Sequence, residues 1–291
     1  MSTESARPGA PHPLLESTRA ERVRAVKALA GRSARTRAGR FLAEGPQAAR
    51  EAVRFGAVRE LYLTPAAADR YTEIVTEATE RGVRIQLGTA AVLDAMSPDG
   101  QGIVAVADHL GATLDDVLAA RPSLVAVLSH VRDPGNAGTV IRAADAAGAD
   151  AVVLTAESVD VHSPKTVRST AGSLFHLPVV TGTTLATTVD ALRAAGLVVL
   201  AADGEGEHDL DDLLDEHERS RRGIEPRDRS SPPDLARPTA WVFGNEAWGL
   251  APEERDLADA VVRVPIRGRA ESLNLATAAT VCLYASARAQ R

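Results

Sequence analysis

From residue 124 to the C-terminus, short apolar runs alternate with helical patterns, and that alternation leaves few folds open. The runs at 124–128, 151–154, 178–180, 197–201, 239–243 and 261–264 are largely apolar and too short for helices. Runs of this kind, buried on both faces, belong in a parallel sheet. Helical patterns at 137–147, 165–174, 185–195, 252–258 and 273–288 lie between and after them. That order implies crossover helices covering a parallel sheet, an α/β architecture. Aromatic residues make up only 3% of the chain, so the core must be assembled from Val, Leu and Ala.

A smaller α/β pattern precedes it. Residues 41–45 end a strand, 47–55 form a helix, 60–63 a strand, 69–81 a helix, 83–87 a strand, 90–96 a short helix and 103–107 a last strand. Ser97-Pro-Asp-Gly100 has turn chemistry. The expected organisation is a disordered Pro-, Ser-, Gly- and Ala-rich tail at 1–18, a first domain at 19–107, a connector at 108–120, and a main domain at 121–291. Residues 203–216 hold eight acidic residues and no Lys or Arg, and 219–238 is rich in Arg, Pro and Ser. The stretch 204–238 is therefore expected as a long, partly disordered surface insertion.

Three polar, glycine-containing islands interrupt the apolar C-terminal half: Asp133-Pro-Gly-Asn136-Ala-Gly138-Thr-Val-Ile-Arg142, Phe243-Gly244-Asn245-Glu246-Ala-Trp-Gly249-Leu250, and Val264-Pro-Ile266-Arg-Gly-Arg-Ala-Glu-Ser272-Leu273-Asn274. Each follows a strand pattern, and strand ends carrying such residues are where α/β proteins build sites. Taken singly, the islands have ordinary explanations. Asn136 is a good N-cap for helix 137–147, and Gly148 a good residue just past its end. Ser272 suits a second cap, with Leu273 as a buried contact. Gly244 allows close backbone approach, and Asn245 and Glu246 are polar groups at a strand tip. Arg142, two turns into an Ala-rich helix, has no such local explanation.

Other chemistries find no support. There is no Walker motif, no Gly-x-Gly-x-x-Gly after the first strand, no Gly-x-Ser-x-Gly and no His-Glu-x-x-His. His130 and His176 show no partner spacing. The one cysteine, Cys282, rules out a disulfide framework or a cysteine-cluster metal site and reads as a packed core thiol. Net charge is −6, so no global basic field marks a nucleic-acid partner. Local charge does so at 19–40, where Arg19, Arg22, Arg24, Lys27, Arg32, Arg35, Arg37 and Arg40 face only Glu21. That stretch is either a solvated helix face or a phosphate-contacting surface. No apolar run is long enough for a membrane span and the N-terminus has no hydrophobic leader. A cytoplasmic protein is expected.

Read together and in order, the three islands resemble the SpoU (TrmH-like) family of RNA ribose 2′-O-methyltransferases, in the SPOUT superfamily. The likeness covers about 121–291. Residues 39–107, beginning Gly39-Arg-Phe-Leu-Ala-Glu44-Gly45, resemble the RNA-presenting domain often found ahead of it, which is similar to ribosomal protein L30e. The resemblance implies an L30e-like α/β domain followed by a parallel sheet whose C-terminal segment forms a deep trefoil knot, acting as a homodimer. It implies S-adenosylmethionine as cofactor, held by backbone groups around Gly244, Val264, Ile266 and Leu273. Arg142 matches the family's catalytic arginine, and Asn136, Glu246, Ser272 and Asn274 its other polar site positions. Asn136 and Glu246 would help fix the arginine and the target nucleotide; Ser272 and Asn274 would order the site. The implied metal requirement is none. The implied partner is RNA, with 23S rRNA favoured by the extra domain; a tRNA methyltransferase and a non-catalytic RNA-binding protein of the same fold are the competing expectations.

Overall fold

The computed structural model describes residues 13–224 and 232–291. The chain separates into two compact units, divided between His109 and Leu110.

The first unit runs α1 (Glu21–Ala28), α2 (Arg32–Ala38), β1 (Arg40–Glu44), α3 (Pro46–Phe55), β2 (Val58–Leu63), α4 (Pro65–Arg70), α5 (Thr72–Glu80), β3 (Arg84–Leu87), α6 (Ala90–Met96) and β4 (Ile103–Asp108). Its sheet has the order β1-β4-β2-β3, with β4 antiparallel to both neighbours and β3 parallel to β2. α1 and α6 cover one face through Val23, Val26, Val92, Leu93 and Met96, packed on Leu42, Tyr62, Val104 and Val106. The helix expected at 69–81 is two helices, because Tyr71 leaves helical dihedrals (φ −112°, ψ 49°). Of the expected disordered tail, 1–12 lies outside the described residues. Leu15, by contrast, is tied to the sheet: its amide donates to Leu87 O and its carbonyl accepts from Thr89 N, both at 2.9 Å.

The second unit runs α7 (Leu114–Ala119), β5 (Leu124–Leu128), α8 (Pro134–Ala147), β6 (Ala151–Thr155), α9 (Pro164–Ser169), β7 (Val179–Thr183), α10 (Leu185–Ala194), β8 (Val198–Ala202), β9 (His208–Asp209), α11 (Leu210–Arg221), β10 (Thr239–Phe243), α12 (Pro252–Arg255), β11 (Ala260–Arg263) and α13 (Leu275–Ala289). All the strand pairs are parallel, in the order β7-β6-β5-β10-β8-β11-β9. β10 lies between β5 and β8, buried along its whole length. Alternate residues face opposite sides: Ala240 and Val242 join the cluster with Leu185, Val189 and Leu192 of α10. Trp241 instead donates its indole N–H to Ser286 of α13 at 2.8 Å. Cys282 is fully buried in that helix, and burial pushes its thiol well above the ordinary range, so it is inert packing as expected.

Three expectations need correction. Residues 110–120, expected as a connector between the domains, belong to the second unit: the short helix α7 has a Thr113–Asp116 capping box, Val117 is buried in the core of that unit, and Ala112 bridges to Val180. The acidic part of 204–238 is ordered: α11 buries Leu210 and Leu213, three apart on one helix face, and β9 closes the sheet edge. Its carboxylates pair with arginines from later in the chain, Asp203 and Glu205 with Arg255, Asp209 with Arg263, and Asp211 with Arg267; residues 225–231 lie outside the described residues. The helix expected at 165–174 stops at Ser169, because Ala171 (φ 51°) and Gly172 (φ 102°) turn the chain into a short 3-10 segment.

Candidate active site

The first island sets the geometry through its cap. Asp133, not Asn136, is the N-cap of α8: Pro134 occupies the first helical turn and Asp133 Oδ1 accepts the Asn136 amide at 2.8 Å. A proline there is pre-set for the helix and lacks the amide that would go unpaired. The Asn136 amide and the nearby Lys165 ammonium hold the Asp133 carboxyl below the ordinary aspartate range. Because Asp133 caps, the Asn136 side chain is released to the site. Gly148 ends the helix in the left-handed region, as expected. Gly138 lets α8 meet α9: a β-carbon there would lie 2.4 Å from Ser169 Cβ.

The second island is a tight turn at the end of β10. Asn245 and Gly249 exchange both backbone hydrogen bonds at 2.9 Å. Asn245 is not an exposed strand-tip group but a buried brace, donating from Nδ2 to His130 O at 2.7 Å and accepting the Ala247 amide at 2.8 Å. Gly244 has no room for a side chain, since a β-carbon would meet Gly249 backbone atoms at 2.3 Å. The turn aims Glu246 at the start of α8. Its carboxylate accepts from Arg132 N at 3.2 Å, Asp133 N at 2.9 Å and Asn136 Nδ2 at 3.3 Å.

The third island joins the other two. Asn274, not Ser272, caps α13, with Oδ1 accepting from Ala276 N at 2.9 Å and Thr277 N at 3.3 Å. Its Nδ2 donates to Asn136 Oδ1 at 3.0 Å. Glu246, Asn136 and Asn274 thus form one hydrogen-bonded chain across three distant segments, beside a groove of about 280 Å3 lined by Asn136, Thr139, Asn274, Thr277, Thr280 and Val281. Ser272 is exposed and makes no hydrogen bond among the described residues, and Leu273, expected as a buried contact, is 36% exposed.

Arg142 is exposed on α8 and has no hydrogen bond or ion pair among the described residues. Neither Asn136 nor Glu246 hydrogen-bonds to it; Glu246 braces the backbone of 132–133 and the Asn136 side chain instead. A free guanidinium on an ordered helix is available for an anionic ligand.

The backbone offers a second kind of group. Residues 264–273, after β11, make no backbone–backbone hydrogen bond with another described residue. Donors and acceptors left open around Val264, Ile266 and Leu273 can bond the polar edges of a purine and a ribose, while the exposed Ile266 and Leu273 offer apolar contact. This donor set fits S-adenosylmethionine; no group of three or more metal-ligating side chains occurs among the described residues.

Local spacing did not reveal some partners. His130, in the left-handed region at φ 54°, lies 3.1 Å from Glu254 Oε1 and 3.1 Å from Ser129 Oγ, and His176 lies 2.8 Å from Asp145 Oδ2. Glu254 is brought to His130 only by the parallel sheet. Asn245 was visible as a polar residue after a strand glycine, but its burial was not.

Residues 123–284 match the SpoU rRNA Methylase family, more than half of the chain. The chain belongs to that family. In this SpoU protein, residues 42–111 also match the RNA 2′-O ribose methyltransferase substrate binding family. A 23S rRNA (uridine(2479)-2′-O)-methyltransferase of Streptomyces viridochromogenes is 34% identical over 89% of the chain and 86% of its own length. The 23S rRNA (guanosine(2553)-2′-O)-methyltransferase RlmP of Bacillus subtilis is 32% identical over 93% of the chain and 97% of its own. Among solved structures, the AdoMet-bound rRNA methyltransferase of Sinorhizobium meliloti has a TM-score of 0.77 at 28% identity, covering 95% of the chain and 97% of its own. AdoMet is S-adenosylmethionine, the cofactor the SpoU site residues were expected to hold.

Proposed function

We propose that this SpoU protein transfers a methyl group from S-adenosylmethionine to a ribose 2′-hydroxyl of 23S rRNA. The observation that carries the reading is the Glu246–Asn136–Asn274 chain, which unites the three islands at the start of the helix that carries an unpaired Arg142. The relatives named above share the target RNA but differ in the base, uridine in one and guanosine in the other, so the nucleotide is not inherited with the family.

When bound, the cofactor supplies an electrophilic methyl group on a sulfonium. The protein's task is to hold the ribose hydroxyl in line with it and to ease loss of the hydroxyl proton. Arg142 is assigned to the phosphate beside the target ribose. A guanidinium is effectively always protonated, so it serves as an orienting cation that lowers the hydroxyl pKa, with the proton passing to solvent. Glu246 fixes the 132–136 backbone, Asn136 and Asn274 hold the start of α8 against the start of α13, and Ser272 faces the substrate from the open loop. Backbone groups around Gly244, Val264, Ile266 and Leu273 take the cofactor.

The first unit is proposed as an L30e-like RNA-presenting domain. Arg35 is excluded from RNA contact, because it is buried and donates to Leu29 O at 2.9 Å and Ala30 O at 2.7 Å. Arg24, Lys27, Arg32 and Arg37 remain exposed. A trefoil knot is supported by the late strand β10 lying inside the sheet and by α13 returning to pack on α8. Pulling the chain from both ends would leave it shorter than its contour length if it is knotted. Exposed Val281 and Tyr284 on α13 support a homodimer, which sedimentation velocity would test. No helix among the described residues is long and apolar enough to cross a membrane, in keeping with the proposed cytoplasmic location.

The deciding experiment is transfer of labelled methyl to total RNA, with the modified nucleotide mapped. Label in a 2′-O-methylated nucleotide of 23S rRNA is expected. Label confined to tRNA would replace the target, and cofactor binding with no transfer to any RNA would leave a binding protein.

A further inference from the structure

The turn that carries Glu246 also carries Trp248, and nothing in the chemistry above uses it. The two tryptophans differ sharply. Trp241 is fully buried with its indole N–H bonded, whereas Trp248 is 59% exposed. In a chain with so few aromatic residues, most of them in the core, a largely exposed indole is a poor use of apolar surface unless something covers it. Trp248 makes no hydrogen bond, ring stack or cation–π contact among the described residues.

The backbone beneath this ring is rigid. The Asn245–Gly249 backbone pair, the Asn245 side-chain bonds to His130 and Ala247, and the steric block at Gly244 fix the turn on three sides. Glu246 ties the same turn to the amides of Arg132 and Asp133. Exposed cations lie on the segments that Glu246 and Asp133 hold together, Arg132 and Arg142 with no side-chain partner among the described residues and Lys165 paired with Asp133. A fixed, open aromatic face on a turn bonded to a segment that carries exposed cations suits an unpaired nucleobase, because RNA proteins recognise splayed bases by stacking them on aromatic side chains.

We propose that Trp248 is the stacking platform for an unpaired base at the methylated site, positioning the RNA so that the ribose meets the cofactor. This rests on the RNA methyltransferase reading above. Every base has a π-face, so the platform anchors RNA without choosing the sequence, which fits relatives that act on different bases.

The test uses the full-length protein as wild type, W248A and W248F. Methyl transfer to deproteinised 23S rRNA gives KM and kcat, calorimetry gives the S-adenosylmethionine Kd, and sedimentation velocity gives the association state. For W248A the KM for rRNA should rise roughly 5- to 100-fold, the range expected for one lost base stack. The cofactor Kd and association state should stay unchanged, and W248F should recover most of the loss. An unchanged rRNA KM overturns the proposal. So does a matching loss of cofactor affinity, which would put the ring over the cofactor, or a changed association state, which would put it against a second copy. A separate arm follows tryptophan fluorescence on adding single-stranded poly(U): quenching in wild type but not in W248F is expected, and equal quenching in both overturns the proposal. Wild type that methylates no rRNA would bring down the enzyme reading, while the quenching arm still judges the stacking.

Discussion

Asn274 Nδ2 donates to Asn136 Oδ1 at 3.0 Å, joining the cap of one helix to the first turn of another. The same Asn274 caps α13 with its oxygen, whereas Asn136 caps nothing. The two asparagines should therefore fail differently. Asn274→Ala should lose about 0.5–2 kcal/mol of stability with the cap as well as activity. Asn136→Ala should lose activity with a much smaller fall in Tm. Thermal unfolding beside steady-state kinetics separates them.

Arg142 touches no other described residue through a polar contact, so Arg142→Ala should leave stability within about 0.5 kcal/mol of wild type. Methyl transfer should fall by roughly 100-fold or more, the scale of a lost orienting group. Arg142→Lys should keep part of the rate with the shape of the pH–rate profile unchanged. A profile that instead follows a lysine titration would make this position the proton acceptor.

Gly138→Ala should destabilise the second unit by about 1–3 kcal/mol through overpacking of α8 on α9. The added methyl would lie 2.4 Å from Ser169 Cβ and 2.8 Å from Thr166 O, and the latter is backbone that cannot rotate away. Denaturant unfolding gives the number. Ser169→Gly combined with Gly138→Ala should recover only part of it, because the Thr166 carbonyl stays.

The Asp133 carboxyl is held low in the folded protein by the Asn136 amide and Lys165. A group whose folded pKa is depressed stabilises the fold above its unfolded pKa and loses that contribution as pH falls through the folded value. Asp133→Asn keeps a competent cap but removes the charge. It should lower stability near neutral pH, where the charge contributes, and converge with wild type at low pH, flattening the acid limb of the stability–pH curve below the ordinary carboxylate range. Melting temperatures across an acid series test this.

The exposed cations of α1 and α2 should act on RNA affinity, and Arg35 on folding. Replacing Arg24, Lys27, Arg32 and Arg37 should weaken rRNA binding and reduce the slope of log K against log salt by roughly 0.7–0.9 for each phosphate no longer neutralised. Arg35→Ala should instead lower the stability of the first unit, since it removes two buried carbonyl bonds.

What local pattern specifies was legible. The short apolar runs became parallel strands within a residue or two at most ends, and the three islands do converge. What went unseen depends on competition or on distance. Asn136 was read as the cap, but Asp133, three residues earlier, has an equally good capping side chain, and Pro134 decides for Asp133. Leu210, Leu213 and Leu214 are the three leucines of a strongly acidic stretch, so the buried stripe of α11 was hidden by its charge. The Glu246 contacts to 132–136 and the Glu254 contact to His130 exist because β10 lies beside β5, and strand order is not written in any one segment.

That strand order also bears on how the chain is made. Thr239 pairs with Leu124 on one side and Val198 on the other, so the central strand is supplied near the end of synthesis. Until residues 239–243 leave the ribosome, β5 and β8 each present an apolar edge with unpaired backbone, the surface most prone to mispairing between chains. A nascent or truncated chain ending before that point has one open half-sheet, β7-β6-β5, and a β8 lacking both its neighbours, in place of the full sheet. Its cellular yield should depend on chaperones far more than that of the finished protein.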